Sequence, residues 1–428
     1  MNQLQLFLPC AAGVEEMLRT EVAAITRRAV GDVRQQRGGV SLEATWRDAL
    51  CLNLHSRLAQ RVLVQLFHAQ YRNEQDLYRV AGEVAWEIWF TPRQSIKVEV
   101  TAQHSPLTSL NFAALKIKDA VCDRFRAKAG GVRPDVDTQW PDVRIHAHLT
   151  TDELFLYIDT SGEALFKRGW REDKGEAPLK ETLAAALIAA SGWADHTELP
   201  LYDPCCGSGT IAIEAAQIAC HIAPGMLRRF AFEKMLPFQA HVWEGIRMDA
   251  QRAQCPAGPL VTVYGSDVAH RMVDFAQRNA QRAGVAAAIE FRGGDALQRM
   301  PPSATPGVML VNPPYGERIA AAGFAGNPQG RRVAVAREDD GDARSPVGRE
   351  AAQVDGGGEF FAQLAAHWKK NYAGWTAWVL TPDLKLPGKM RLKESRRVPM
   401  WNGPIECRLF RFDMVKGSAR SGMSGHPP

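Results

Sequence analysis

Hydrophobic and polar positions in the first part of the chain follow the periods of short strands and amphipathic helices. Apolar residues at positions 14, 17, 18, 22 and 25 share one helical face, between strands predicted at 4–8 and 40–43. A helix at 46–58 and a strand at 61–67 follow. We therefore predict a small α+β unit over residues 1–65.

A second α+β unit is predicted over residues 66–160. Residues 95–100 alternate polar and apolar side chains, as a half-buried strand does. Residues 111–128 have an amphipathic helical pattern rich in Lys and Arg. Residues 144–149 and 154–158 predict a β-hairpin.

The pattern changes from residue 161 onward, where strands alternate with longer helices. The predicted strands lie at 199–203, 261–267, 289–292, 308–311 and 375–381, and the predicted helices at 178–191, 211–222, 268–283 and 359–371. This alternation is typical of a parallel, doubly wound α/β sheet. Two closing strands within 395–412 predict an antiparallel edge. We expect this domain to span residues 161–416.

One segment interrupts the pattern of the second half. Residues 321–358 contain no Leu, Ile, Met, Trp or Tyr, but many Gly, Arg, Asp and Glu. Such a composition cannot bury enough apolar area to offset its ordering entropy, so we expect a mobile insertion. The tail at 417–428 has the same character and is expected to be flexible.

Composition and charge exclude few function classes. The 428 residues are 46% hydrophobic with a net charge of +5, which excludes a wholly disordered chain and permits a nucleic-acid partner. Residues 1–160 carry 19 basic and 19 acidic side chains, so the excess charge lies downstream. With no apolar stretch of membrane-spanning length and no visible secretory signal, we expect a cytoplasmic protein without a membrane partner. The eight cysteines lack Cys-x-x-Cys spacing, so we expect no metal site.

The strongest local motif runs from Asp203 to Thr210, between an apolar strand and a helix. Gly207 and Gly209 permit a tight turn and a close ligand at the carboxyl end of a strand. The motif lacks the Lys of a P-loop and the third Gly of the dinucleotide fingerprint. Its opening acid favours a ligand with an amino group over a pyrophosphate. An isolated turn of this kind is also typical of a helix capped by Ser208.

Two further acids follow the next two strands. Asp267 ends the strand predicted at 261–267, where a carboxylate can accept hydrogen bonds from both ribose hydroxyls. Asp295, followed by Ala296, is suited to accept from an adenine amine. Each acid alone is more often a helix cap or a solvated loop residue. Three of them at successive strand ends favour a nucleoside site.

A fourth strand end carries Asn312, Pro313, Pro314 and Tyr315. The two prolines stiffen the backbone. The side-chain oxygen of Asn312 and the carbonyl of Pro313 can accept from an amino group on a planar ring, on which Tyr315 can stack. The motif therefore predicts a site that orients an sp² nitrogen toward an electrophile.

Together these motifs resemble class I S-adenosylmethionine-dependent amino methyltransferases. Residues 166–171, 175–184, 224–225, 230–234 and 312–318 resemble, more narrowly, the THUMP-containing ribosomal RNA guanine-N2 methyltransferases. The resemblance implies a Rossmann-like class I methyltransferase sheet, preceded by a ferredoxin-like region at 1–65 and a THUMP RNA-binding domain at 66–160. Cys205 stands where Met is common, Trp170 stands where Tyr is common, and the insertion at 321–358 departs from the family pattern. We expect a single methyltransferase domain, because the chain is too short for the second one that some relatives carry.

The resemblance also assigns roles to residues. It implies S-adenosylmethionine as the cofactor and no metal. The cofactor would be bound by Asp203, Gly207, Ser208, Gly209, Thr210, Asp267, Asp295, Ala296 and Asn312. The guanine would be held by the catalytic residues Asn312, Pro313, Pro314 and Tyr315.

RNA is the expected partner, most simply large-subunit ribosomal RNA. The cluster predicted to contact it comprises three basic residues beside an aromatic ring: Lys167, Arg168, Trp170 and Arg171. A solvated basic face is the common alternative for such a cluster. Residues 385–416 add nine basic side chains against three acidic ones. We expect the target base to be unpaired or extruded, because pairing hides its amino edge.

Several alternatives stay open at this point. A transfer RNA guanine-N2 methyltransferase would share the accessory domain, and Asn-Pro-Pro-Tyr also serves adenine-N6 methyltransferases. A catalytically silent RNA-binding ribosome-assembly factor is a different class, against which the intact acids and Asn312 count. The sequence identifies neither a general base, nor the modified nucleotide, nor an oligomeric state.

Overall fold

The structure is a computed structural model that describes residues 3–175, 178–255, 262–313 and 357–415. The strands of its first part are β1 (Leu4–Pro9), β2 (Arg34–Gln36), β3 (Gly39–Ala44), β4 (Leu63–Gln70), β5 (Ile96–Ala102), β6 (Val143–Leu149) and β7 (Glu153–Asp159). The helices here are α1 (Glu15–Thr26), α2 (Trp46–His55), α3 (Glu74–Glu83) and α4 (Leu110–Lys128). The seven strands form one sheet in the order β2-β3-β1-β4-β7-β6-β5.

Strand β4 joins the two predicted α+β units. It pairs antiparallel with β1 on one side and with β7 on the other, where Leu63 is opposite Asp159. The predicted boundary between residues 65 and 66 therefore falls inside a strand. The hydrophobic pattern of β4 predicts a strand but does not predict which two strands pair with it. The sequence therefore predicts two units where the structure has one continuous sheet.

The second sheet contains the parallel strands expected from the sequence. Its strands are β8 (Leu201–Asp203), β9 (Val263–Asp267), β10 (Ile289–Gly293), β11 (Val308–Val311), β12 (Thr376–Thr381), β13 (Arg396–Asn402) and β14 (Ile405–Asp413). Their order is β10-β9-β8-β11-β12-β14-β13. The first five are parallel, whereas β14 is antiparallel to both β12 and β13. The predictions of a Rossmann-like sheet and of an antiparallel edge are both confirmed.

The helices of this second part are α5 (Glu181–Ser191), α6 (Thr210–Ala219), α7 (Ala240–Arg252), α8 (His270–Arg282), α9 (Gly357–Asn371) and α10 (Leu386–Met390). Helix α5 is apolar on nearly every side, because it contacts α1, α6 and β11 at once. One hydrophobic core runs from Leu6 in the first sheet to Leu409 in the second. The two parts of the chain are therefore packed against each other.

Several short elements were missed at the sequence level. Helix α7 buries only Trp243, Ile246 and Ala250, a stripe three and four residues apart that was visible in the sequence. Helix α3 begins at Asn73, whose side-chain oxygen accepts from the backbone N–H groups of Gln75 and Asp76. That N-cap was also a usable signal. Strand β2 and helix α10 were missed as well.

Two predicted segments fall mostly outside the described residues. These are the tail at 417–428 and the insertion at 321–358, of which residues 357 and 358 begin α9. Across the described ranges, no helix combines the length and apolar character needed to cross a bilayer.

Candidate active site

Four adjacent parallel strands bring the predicted site residues to one edge of the second sheet. Asp203 and Asp267 are the last residues of β8 and β9. Asp295 lies two residues after β10, and Asn312 directly follows β11. Because β10, β9, β8 and β11 are neighbours in that order, their carboxyl ends form the crevice where open α/β sheets bind ligands.

The glycine-rich turn after β8 requires glycine at two positions. Gly207 and Gly209 have φ values of +52° and +87°, in the left-handed region. A Cβ on Gly209 would lie 2.9 Å from the Cβ of Ala276 on α8, so the turn packs directly on that helix. A Cβ on Gly207 would meet no atom within 4 Å. The turn therefore has open space above Gly207, as a bound ligand requires.

Asp203 is a buried carboxyl group with an unusual pKa. The side chain is buried, and its Oδ1 accepts the backbone N–H of Cys205 at 3.1 Å. Burial, with a smaller effect from the nearby charge of Asp267, raises the pKa of Asp203 to about 8. A cationic amino group beside it would stabilise the ionised form. The site is thus suited to the positively charged amino group of an amino-acid moiety.

Asp267 anchors the turn from the next strand. Its Oδ2 accepts the N–H of Gly207 at 2.9 Å, and its Oδ1 accepts the N–H of Ala269 at 2.9 Å. Burial raises the pKa of Asp267 despite these two bonds. An ionised carboxylate has about four acceptor positions, so capacity is left for ribose hydroxyls.

Asp295 and Ala296 lie at the far side of the same edge. Oδ1 of Asp295 accepts the N–H of Leu297 at 2.9 Å, which fixes the carboxylate at the start of the loop. Ala296 is buried. The arrangement agrees with the predicted binding positions, although the capping role of Asp295 is also the common alternative weighed for it.

Arg171 is hydrogen-bonded to the glycine-rich turn and to the helix that precedes it in the chain. It donates to Oε1 of Glu181 at 2.7 Å, to Oγ of Ser208 at 2.9 Å and to Oγ1 of Thr210 at 2.7 Å. Its planar guanidinium thus connects Glu181, at the start of α5, to Ser208 within the glycine-rich turn and to Thr210 at the end of that turn. Arg171 thus supports the glycine-rich turn, and its predicted contact with RNA stays a prediction.

The structure corrects the predictions for Arg168 and Trp170. Arg168 is 2% exposed and Trp170 is 0% exposed, so neither can contact RNA in this structure. Nε of Arg168 donates to Oε1 of Glu214 at 3.0 Å, and its Nη2 donates to the carbonyl of Arg57 at 2.8 Å. Of the four predicted RNA-binding residues only Lys167 is exposed, and it forms an ion pair with Glu163. A basic cluster in sequence does not indicate which charges are neutralised internally.

Asn279 on α8 was missed at the sequence level. It is fully buried, and its Nδ2 donates to the carbonyls of Ser208 at 3.1 Å and Asp173 at 2.8 Å. It therefore ties the turn to the segment that carries Arg171. An uncharged polar residue on the apolar face of α8, beside Ala276 and Ala280, was the available signal.

The catalytic motif is only partly described. Asn312 is half-buried and Pro313 is buried. Strand β11 lies between β8 and β12, with Met309 paired to Tyr202, so Asn312 is adjacent to the strand end that carries Asp203. Pro314 and Tyr315 lie outside the described residues, so their predicted roles stay predictions. In the described ranges no three His, Cys, Asp or Glu side chains are arranged to hold a metal ion.

Comparison with known protein families covers most of the chain. Residues 5–63 match the RlmL ferredoxin-like domain, and residues 71–159 match the THUMP domain. Residues 168–326 match the RMKL-like methyltransferase domain.

Curated relatives extend the similarity across all three regions. Proteins named ribosomal RNA large subunit methyltransferase K/L from Psychromonas ingrahamii and Shewanella amazonensis are 34% and 35% identical over 96% and 97% of this chain. The alignments cover 50% and 54% of those two proteins. The chain thus spans about half the length of the curated relatives it matches.

Solved structures share the whole arrangement. A protein described as a possible methylase from Clostridium difficile 630 is 26% identical with a TM-score of 0.79, over 98% of this chain and 100% of that one. A predicted N6-adenine-specific DNA methylase from Listeria monocytogenes is 28% identical with a TM-score of 0.77, over 96% of each chain. At 24% identity and a TM-score of 0.79, SMU.472, solved in complex with SAH, shares the fold over 98% of this chain and 100% of that one. The chain therefore contains, in order, regions that match a RlmL ferredoxin-like domain, a THUMP domain and an RMKL-like methyltransferase domain, and it is similar over nearly its whole length to THUMP-containing methyltransferases.

Proposed function

We propose that this chain transfers a methyl group from S-adenosylmethionine to the exocyclic N2 of a guanine in large-subunit ribosomal RNA. The observation that carries the proposal is the single sheet edge formed by β10, β9, β8 and β11, where Asp203, Asp267, Asp295 and Asn312 converge. The names of the curated relatives support the choice of RNA.

The residues at this edge match the parts of the cofactor. Asp203 would receive the amino group, because its buried carboxyl gains most from a positive partner. Asp267 would accept from the ribose, and Asp295 with Ala296 would border the adenine. The open space over Gly207 leaves room for the backbone of the turn to approach the ligand. When bound, S-adenosylmethionine supplies an activated methyl group on a sulfonium.

Catalysis would depend mainly on positioning the guanine. The side-chain oxygen of Asn312 and the carbonyl of Pro313 would accept from the N2 amino group and orient its nitrogen toward the methyl group. As that nitrogen becomes positive, the two acceptors stabilise it more strongly than they stabilise the neutral amine. Tyr315 would stack on the base.

Two other targets are outcomes of the same test. The Listeria protein is described as an adenine-N6 methylase, and an adenine amino group would meet the same two acceptors. A transfer RNA would meet the same THUMP domain. The N-terminal sheet of residues 4–159 is proposed to recruit the RNA in either case.

The experiment is transfer of labelled methyl from S-adenosylmethionine to unmodified large-subunit RNA and to unmodified transfer RNA, followed by digestion to nucleosides. We expect labelled N2-methylguanosine from the large-subunit RNA. Labelled N6-methyladenosine would overturn the assigned base, and label in transfer RNA alone would overturn the assigned RNA. Cofactor binding without transfer to any RNA would favour an assembly factor.

A further inference from the structure

A basic cleft of about 880 Å³ lies where the first part of the chain meets the second. One wall is formed by residues 140–144, just before and at the start of β6, and the other by residues within 161–174, 178–181 and 227–234. Nine basic and four acidic residues line it. The cleft extends to Arg171 and Glu181, which support the glycine-rich turn through Ser208 and Thr210.

Only some of these cations are available to a ligand. Arg168 and Arg171 are bound to Glu214 and Glu181. Arg228 donates to the backbone carbonyls of residues 161, 163, 164 and 167. By contrast, three exposed cations form no ion pair with any described residue: Lys174, Lys180 and Arg229. A surplus of unneutralised positive charge in a concave surface attracts a polyanion.

Trp140 presents a large aromatic face at the rim of this cleft. It is 73% exposed, the highest value among the tryptophans in the described part of the chain. The backbone N–H groups of Trp140 and Gln139 donate to Oδ1 of Asp137 at 2.9 and 2.8 Å, which fixes the turn that carries Trp140. Two residues later, Asp142 is tied to Ser95 and pairs with Lys234 across the cleft. The backbone that carries Trp140 is therefore held in place, while most of the ring faces water.

We propose that this cleft binds an unpaired segment of RNA, with one base stacked on Trp140 and backbone phosphates at Lys174, Lys180 and Arg229. An exposed aromatic face beside free cations is the arrangement by which proteins bind single strands, because every unpaired base offers a π-face. A duplex covers those faces with neighbouring bases. The identity of the RNA as the methylation substrate rests on the proposed function, whereas the binding mode does not.

The bound RNA segment would lead toward the proposed catalytic edge of the second sheet. Residues within 161–174 form part of one wall of the cleft, and Arg171 among them is hydrogen-bonded to the glycine-rich turn. A strand held from Trp140 along this wall therefore runs toward the carboxyl ends of β8 and β11.

The test measures binding of the full chain to a fluorescein-labelled single-stranded RNA of mixed sequence and about 15 nucleotides, by anisotropy. We expect Trp140→Leu to weaken binding about tenfold, whereas Trp140→Phe stays within about threefold because it keeps an aromatic face. Arg229→Ala should lower the slope of log K against log salt by about one, and Arg252→Ala, an exposed arginine on α7, should leave it unchanged.

The outcomes separate this inference from the proposed activity. If Trp140→Leu binds as tightly as the wild type, the stacking site is wrong even where methyl transfer is observed. Equal affinity for the annealed duplex, or equal competition by polyglutamate, would also overturn it. If binding depends on Trp140 while no RNA is methylated, the cleft stands and the proposed activity fails.

Discussion

Nε of Arg168 lies 3.0 Å from Oε1 of Glu214, and the two side chains are 2% and 0% exposed. The other carboxylate oxygen of Glu214 accepts from Nη1 of Arg57, also at 3.0 Å. Glu214 is on α6, the helix that begins at the end of the glycine-rich turn, whereas Arg57 follows α2 in the first part of the chain. One buried carboxylate thus links the first part of the chain, through Arg57, to the second part.

Breaking this buried pair should be costly. We expect Arg168→Met to lower the free energy of unfolding by about 2–3 kcal/mol, because the carbonyls of Leu165 and Arg57 lose their donor and Glu214 keeps only Arg57 as a partner. Lys167→Met is the matched control, since its ion pair with Glu163 is exposed and should contribute less than about 1 kcal/mol. Urea denaturation followed by circular dichroism measures both. Equal losses in the two variants would contradict the assignment of Arg168 as a buried structural residue.

Arg171 should control cofactor affinity through the turn it supports. Arg171→Lys keeps a positive charge near Glu181 but cannot span Ser208 and Thr210 with one planar group. We expect about fivefold weaker S-adenosylmethionine binding by calorimetry, from loss of about 1 kcal/mol of turn stabilisation. Arg252→Lys, on the exposed face of α7, should bind as the wild type does. Unchanged affinity in Arg171→Lys would show that the turn holds its shape without this contact.

The two glycines of the turn should respond differently to alanine. Both adopt positive φ, so each substitution costs about 1–2 kcal/mol of backbone strain. Gly209→Ala should be the less stable variant, because its Cβ would also lie 2.9 Å from the Cβ of Ala276. Gly207→Ala should fold better but lose more cofactor affinity, since its methyl group enters the open space above the turn. Thermal unfolding measures the stability of both variants, and calorimetry measures their cofactor affinity. A reversed order of the two variants would exclude this geometry.

Features of the site that depend on neighbouring residues in the sequence were predictable, whereas features that depend on distant residues were not. The positions of Asp203 and Asp267 at strand ends and of Gly207 in a tight turn were predictable, because both features are properties of adjacent sequence. The parallel strands were found for the same reason, to within a few residues. Arg168 and Trp170 were misassigned because their surroundings come from distant residues: Glu214 on α6 pairs with Arg168, and Arg282 on α8 donates to the carbonyl of Trp170.

Long-range pairing and packing set the limit of the sequence analysis. The boundary placed inside β4 and the missed contact of Asn279 with Ser208 both depend on partners distant in sequence. Trp140 was not singled out either, because nothing around it in the sequence shows that its ring is exposed beside a basic cleft. Hydrophobic periodicity predicts which face of an element is buried, but not which element covers it.

The raised pKa of Asp203 predicts a pH dependence with a definite sign. Its pKa is about 8 in the folded chain, mainly through burial, and near 4 when unfolded. The folded state therefore binds the proton more tightly, and the associated stability is complete below pH 4 and is lost as pH rises toward 8. Without cofactor, Asp203→Asn should gain stability relative to the wild type across this range, measured as the difference in Tm. A Tm difference that stays constant from pH 5 to pH 8 would contradict this pH dependence.

Cofactor binding should release the proton that Asp203 holds in the folded, cofactor-free chain. A cationic amino group placed beside Asp203 favours its ionised form, so at pH 7 binding should expel the proton that the free carboxyl holds. Calorimetry in two buffers of different ionisation enthalpy measures the release. Asp203→Asn should bind the cofactor without releasing a proton. Proton release that persists in this variant would contradict the assignment of Asp203 as the partner of the amino group.

The most direct test of the central claim is a comparison of wild type with Asn312→Ala in methyl transfer to unmodified large-subunit RNA. We expect the wild type to form N2-methylguanosine and the variant to lose at least about 100-fold in rate, since it lacks a side-chain acceptor for the nitrogen that becomes positive. S-adenosylmethionine affinity, measured in the same preparations, should fall by less than about threefold. Transfer by Asn312→Ala at the wild-type rate would contradict the account, as would a wild-type product other than N2-methylguanosine.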